Sequence, residues 1–147
     1  MVEGTANGSR FRAPLEPDGN RGHWLNVDKD TLKAARADVG DTISLEIEVS
    51  REWPEPFLPE DLEKALKNSQ KANKTWEDVT PAAHWDWIRW IRSTKNPETR
   101  KKRIEVACSK LESGMRRPCC FNRNLCTEAE VSNNGVLLIG SESKAKT

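Results

Sequence analysis

The feature that most constrains this chain is a change of hydrophobic period on either side of three closely spaced prolines. Ile43, Leu45, Ile47 and Val49 alternate with Ser44, Glu46, Glu48 and Ser50. Strict period two over eight residues predicts a strand with one face buried and one in water. Pro54, Pro56 and Pro59 follow; each lacks an amide proton and restricts the residue before it, so neither a ladder nor a helix can run through them. Beyond them the period becomes 3.6, with Leu62, Ala65, Leu66 and Ser69 on one helical face. One sheet or one bundle alone is therefore excluded. The chain reads as α+β: a small N-terminal β-rich half-barrel over residues 1–50, a Pro-rich linker over 51–59, a C-terminal helical module of about four helices over 60–115, and a largely flexible tail over 116–147.

Local signals fill in both halves. Asn7-Gly8 lies between the extended runs Val2 to Ala6 and Arg10 to Leu15, and Asn-Gly marks a hairpin turn because both residues tolerate positive φ. His23 to Val27 predicts a third extended run, and Asp28 a cap for a short helix. In the second half, Ala72, Trp76 and Val79 share a helical face. Thr80-Pro81 and Asn96-Pro97 each put a capping side chain before a proline suited to the first helical position. Two longer helices follow, to about Thr94 and about Ser113, the second ended by Gly114. They are expected to pack as a pair, burying Trp87, Trp90 or Ile91 against Ile104 and Leu111. Two positions apart on a helix, Trp85 points away from Trp87 and is a candidate for stacking on a ligand. In the tail, most of the chain is expected to be disordered unless the apolar run Val136 to Ile139 pairs as a strand.

Charge is unevenly distributed although the 147 residues carry a net +1. Residues 1–80 hold 11 basic against 16 acidic side chains, and residues 81–125 hold 11 against 4. The basic stretch concentrates in Arg89, Arg92, Lys95, Arg100, Lys101, Lys102 and Arg103, with Arg116 and Arg117 nearby. Such a face can serve a polyanionic partner, nucleic acid included. Together with Trp85, those first seven residues form the candidate binding set. The mean hydropathy of −0.79 and the lack of a long apolar run or an N-terminal signal pattern predict a soluble, cytoplasmic protein with no membrane insertion.

Catalytic chemistry finds little to work with. The only histidines are His23 and His84, neither near a nucleophile motif, and no Gly-rich phosphate loop is present. Cys108, Cys119, Cys120 and Cys126 lack paired metal-ligand spacing, so no metal and no cofactor is expected. Cys108 falls on an apolar stripe, while Cys119 and Cys120 beside Arg116 and Arg117 are candidates for oxidation. These residues predict a protein that is not an enzyme.

The run Leu58-Pro-Glu-Asp-Leu-Glu-Lys-Ala-Leu, the stretch Trp76 to Pro81, Trp87-Ile-Arg-Trp-Ile, Lys95-Asn-Pro-Glu-Thr-Arg-Lys-Lys-Arg-Ile and Leu111-Glu-Ser-Gly together resemble the bacterial YdeI/OmpD-associated, or bacteriocin-protection, family. Val2 to Val49 resembles the later part of an uncharacterised β-rich domain that often precedes that module. Its Val39-Gly40-Asp41-Thr42 is similar to the Gly-Asp box of AbrB-like barrels. The resemblance implies a non-catalytic binding or stress-protection protein with an unknown partner, and it carries no role to His84. The alternative is nucleic-acid binding through the basic helical face. Because the chain opens at what resembles an internal strand, a homodimer through the N-terminal half is expected, unless the linker or the tail run covers the same apolar face.

Overall fold

The computed structural model describes residues 1–118, 126–133 and 135–138. The chain divides into two units, one of residues 1–16 and 23–53, the other of residues 17–22 and 54–147. Its class is α+β.

In the first unit, β1 (Val2–Ala6), β2 (Ser9–Ala13) and β5 (Leu45–Val49) form an antiparallel sheet in the order β2-β1-β5. β3 (Leu15–Pro17) and β4 (His23–Leu25) form a separate pair. The β1–β2 turn falls on Asn7 and Gly8, at φ 48° and 84°, the left-handed pair that matches the twist of a two-residue hairpin. Asn7 does more than turn the chain. Its Oδ1 accepts from the Ser44 amide, its own amide donates to the Ser44 carbonyl, and its Nδ2 donates to the Ala35 carbonyl. One left-handed residue thus ties the hairpin tip to the start of β5 and to the end of α1 (Lys29–Ala34), a helix capped by Asp28 on the Thr31 amide.

The sheet stays open. Opposed pairs place Val2, Gly4, Ala6, Ser9, Phe11, Ala13, Leu45, Ile47 and Val49 on one face and the charged residues on the other. Val2 and Ala6 are buried, but Leu45 is 41% exposed, Ile47 44% and Val49 82%. The period of β5 is thus as expected while the burial of its apolar face is not. α1 meets this face at the hairpin end, where the Ser9 hydroxyl donates to the Ala34 carbonyl. Three strands do not close a barrel, and no closed barrel is present among the described residues.

The second unit is helical. α2 (Glu60–Lys67) starts after Pro59, and α3 (Gln70–Asp78) is capped by Ser69 on the Ala72 amide. α4 (Pro81–Arg92) is capped by Thr80 on the Ala83 amide, and α5 (Pro97–Glu112) by Asn96 on the amides of Glu98 and Thr99. Both long helices have proline in the first turn, where no amide partner is required. Leu62, Leu66, Ala72, Trp76, Trp87, Ile88, Ile91, Ile104, Ala107 and Leu111 make one core, with Trp90 and Cys108 packed partly buried against it. Gly114 ends α5 at φ 86°.

The chain after α5 returns over this core. The Trp87 indole donates to the Arg116 carbonyl, Arg116 pairs with Asp78, and Arg117 pairs with buried Asp86. Further on, Thr127, Ala129 and Ser132 are buried. A 3₁₀ turn (Ala129–Val131) leads into β6 (Ser132–Asn133), which pairs with β7 (Val136–Leu137). Of the apolar run Val136 to Ile139, Val136 and Leu137 pair as a strand, and Ile139 lies outside the described residues. Its Leu137 amide also donates to the Asp18 carbonyl.

Candidate functional site

The turn between α4 and α5 is fixed by sequence-local bonds. The Ser93 hydroxyl donates to the Trp90 carbonyl, the Asn96 amide donates to Thr94 Oγ1, and Asn96 caps α5. Arg103, two turns into α5, reaches back over this turn. Its Nη1 donates to the Trp90 carbonyl at 2.6 Å and to Ser93 Oγ at 2.7 Å, and its guanidinium carbon lies 5.6 Å from the Trp90 ring centre. A backbone carbonyl, a hydroxyl oxygen and an aromatic face hold the charge in one place.

Opposite this turn lie residues 126–133 and Gly135, and between the two is an open cavity of about 560 Å³. Ser93, Thr94, Lys95, Asn96 and Arg103 line one side; Cys126, Ala129, Ser132, Asn133 and Gly135 line the other. Among the described residues Lys95 and Arg103 are its charged lining, and none of them places a carboxylate there. Burial pushes the Cys126 thiol up, opposed by a hydrogen bond with Ser93 and by the positive charges of Arg103 and Arg89. Desolvation being the larger effect, the side chain is a neutral thiol at pH 7. Burial, and then the charge of Glu112, also raises the Cys108 thiol. Cys119 and Cys120 lie outside the described residues.

The structure separates the basic residues that the sequence groups together. Arg89 is buried, with Nη1 3.9 Å from Oδ1 of buried Asp86. Arg92 is partly buried, and Lys95 is exposed at the cavity. Arg100 grips Asp61 on α2 with two hydrogen bonds, at 2.7 and 3.0 Å, a bidentate geometry that fixes orientation as well as charge. That bond holds the Asp61 carboxyl below the usual carboxylate range. Lys101 and Lys102 are exposed and share their surface with Glu98 and Glu105. Lys95 and Arg103 therefore meet at one place, whereas Arg100, Lys101 and Lys102 face elsewhere.

Trp85 is partly buried, and its indole N–H donates to the Pro54 carbonyl at 2.7 Å. Its opposed direction to Trp87 is as the helical spacing requires; its partner is the proline segment. His84, stacked on Trp76 at 4.2 Å, sets Nδ1 2.8 Å from Glu55 and Nε2 2.7 Å from the Trp76 carbonyl. Both histidine and tryptophan tie α4 to the chain before α2. Sequence reasoning missed Ser93, Asn96, Cys126, Ser132 and Asn133 as cavity residues. The pairing potential of Val136 was the one available signal that this part of the chain folds back.

Among the described residues no group of three His, Cys, Asp or Glu side chains could hold a metal ion. No helix among them is long and apolar enough to cross a membrane. No curated protein and no solved structure matches the chain. Residues 1–47 match the model of a domain of unknown function, DUF1905. Residues 55–114, which span the linker's last prolines, all four helices and Gly114, match the family model described as bacteriocin-protection, YdeI or OmpD-associated. Residues 55–114 of this chain are thus similar to the YdeI/OmpD-associated family, with a match to the domain of unknown function in front of them.

Proposed function

We propose that this chain is a non-catalytic binding protein of the YdeI/OmpD-associated type, and that its helical unit takes up a small anionic group, a carboxylate or a phosphate, between the α4–α5 turn and residues 126–133. One observation carries the reading: Lys95 and Arg103 both line the cavity, with no carboxylate beside them among the described residues. Arg103 is already oriented by Trp90 and Ser93, which reduces the ordering cost of binding. Ser93, Thr94, Asn96, Ser132 and Asn133 line the same cavity, and their hydroxyls and side-chain amides suit hydrogen bonding to oxyanions.

The non-catalytic part rests on the disposition of nucleophiles and bases. A base must reach a nucleophile to activate it, yet both ring nitrogens of His84 are taken by Glu55 and the Trp76 carbonyl. The Cys126 thiol is held neutral by its burial. Nucleic-acid binding through the basic helical face has weaker support, because Arg100 is bound to Asp61, Arg116 to Asp78 and Arg117 to Asp86.

Isothermal titration of the full chain with inorganic phosphate and with citrate tests the reading. Binding is expected for at least one, lost in K95E and retained in K101E/K102E. No heat with either anion, or loss only in K101E/K102E, would overturn it. The second pattern, accompanied by salt-dependent binding of duplex DNA, would move the function to the basic helical face.

A further inference from the structure

The first unit presents an apolar surface and two sheet edges whose charges are complementary. β2 and β5 are the outer strands, and both run antiparallel to β1, so they point in the same direction. The polar face of β2 carries Arg10 and Arg12, and that of β5 carries Glu46 and Glu48. On the opposite face the same strands carry Phe11 and the row Leu45, Ile47 and Val49, all three exposed. An edge strand with a continuous apolar face invites pairing with another strand, and closing the sheet removes both edges.

We infer that two copies of this chain close their sheets into one six-stranded barrel, β2-β1-β5-β2-β1-β5, about a twofold axis running along the barrel. Rotation about that axis leaves strand direction unchanged. β5 of one copy therefore lies parallel to β2 of the other, and the operation makes the second seam identical to the first. Setting Ile47 beside Phe11 of the second copy places Glu46 and Glu48 on the outside, beside its Arg10 and Arg12. The apolar rows then face inward together. A twofold axis across the sheet would instead bring β5 against β5, with the glutamates of both copies at one seam. Like charges across a seam are destabilising and opposite charges favourable, so the charge pattern selects the first arrangement. α1, at the hairpin end of the same face, would close one mouth of the barrel.

The test is the mass of the full chain in solution by light scattering under reducing conditions, across a concentration series. Wild type should reach twice the 16.6 kDa chain mass. I47K and E46R should each remain at the single-chain mass with unchanged far-ultraviolet circular dichroism, and R10E/E46R should recover the dimer. Recovery matters because Glu46 and Arg10 are both exposed and both oppose Thr5 in the sheet, so misfolding cannot imitate a rescue. A wild-type monomer at the highest soluble concentration overturns the inference. So does a dimer indifferent to I47K and E46R, or a failure of R10E to rescue E46R.

Discussion

Replacing Ile104 with alanine measures whether α4 and α5 are held together by the face assigned to them. Ile104 is 6% exposed and sits in a cluster with Trp87, Ile88, Ile91, Ala107 and Leu111. The substitution deletes three carbon atoms from a site nearly closed to water. At about 0.8 kcal/mol per buried methylene, transfer alone costs about 2.4 kcal/mol. The aromatic and branched neighbours cannot collapse fully into the space, and the residual cavity brings the expected loss into the range of ~2–5 kcal/mol. Urea unfolding followed by helical circular dichroism should show a lower midpoint with an unchanged slope, the sign of lost stability without altered compactness. Lys101→Ala, on the exposed side of the same helix, serves as the control and should stay within about 0.5 kcal/mol of wild type. A loss for I104A that is no larger than the control would refute the packing face and, with it, the position of Arg103 over Trp90.

The Asp61 to Arg100 pair should make stability depend on acid. Asp61 is lowered in the folded state, chiefly by its hydrogen bond to Arg100, so the pair's stabilisation is present above the unfolded carboxylate range near pH 4 and is lost as pH falls through the lower folded value. With Asp61 and Arg100 side chains 45% and 30% exposed, solvent screening limits the effect to about 1 kcal/mol or less. D61N should flatten the acid limb of an unfolding-against-pH profile, and an identical profile would show that the pair contributes nothing. Gly19→Ala should detach β7 from the 17–22 loop. Gly19 has φ 83°, and an added Cβ would lie 2.5 Å from the Gly135 carbonyl oxygen and 2.7 Å from the Val136 Cα. Amide exchange at Leu137 should then accelerate while that of α5 is preserved; unchanged exchange would contradict the docking.

What was legible in the sequence is what local chemistry decides. Thr80-Pro81 and Asn96-Pro97 located both long helices because a cap and a first-turn proline act within three residues. Asn7-Gly8 located the hairpin for the same reason. The alternation over β5 gave its pairing period but not its burial, since burial depends on what covers the strand, and Leu45, Ile47 and Val49 stay exposed. The basic run was legible as charge, whereas its division was not: Asp61 is 39 positions from Arg100, and Asp86 is 31 from Arg117. Nor does composition show that residues 126–133 face the α4–α5 turn, because the segment has few large apolar residues and is held by the burial of Thr127, Ala129 and Ser132.

The central claim, an anion held between the α4–α5 turn and the returning chain, is tested most directly by titrating inorganic phosphate into uniformly ¹⁵N-labelled protein and following amide shifts. Binding there should give saturable shifts at Lys95, Asn96, Cys126, Ser132 and Asn133, residues remote in sequence that line the two sides of one cavity, with Lys101 and Lys102 unmoved. Shifts confined to Lys101 and Lys102, or a set that does not saturate, would contradict it.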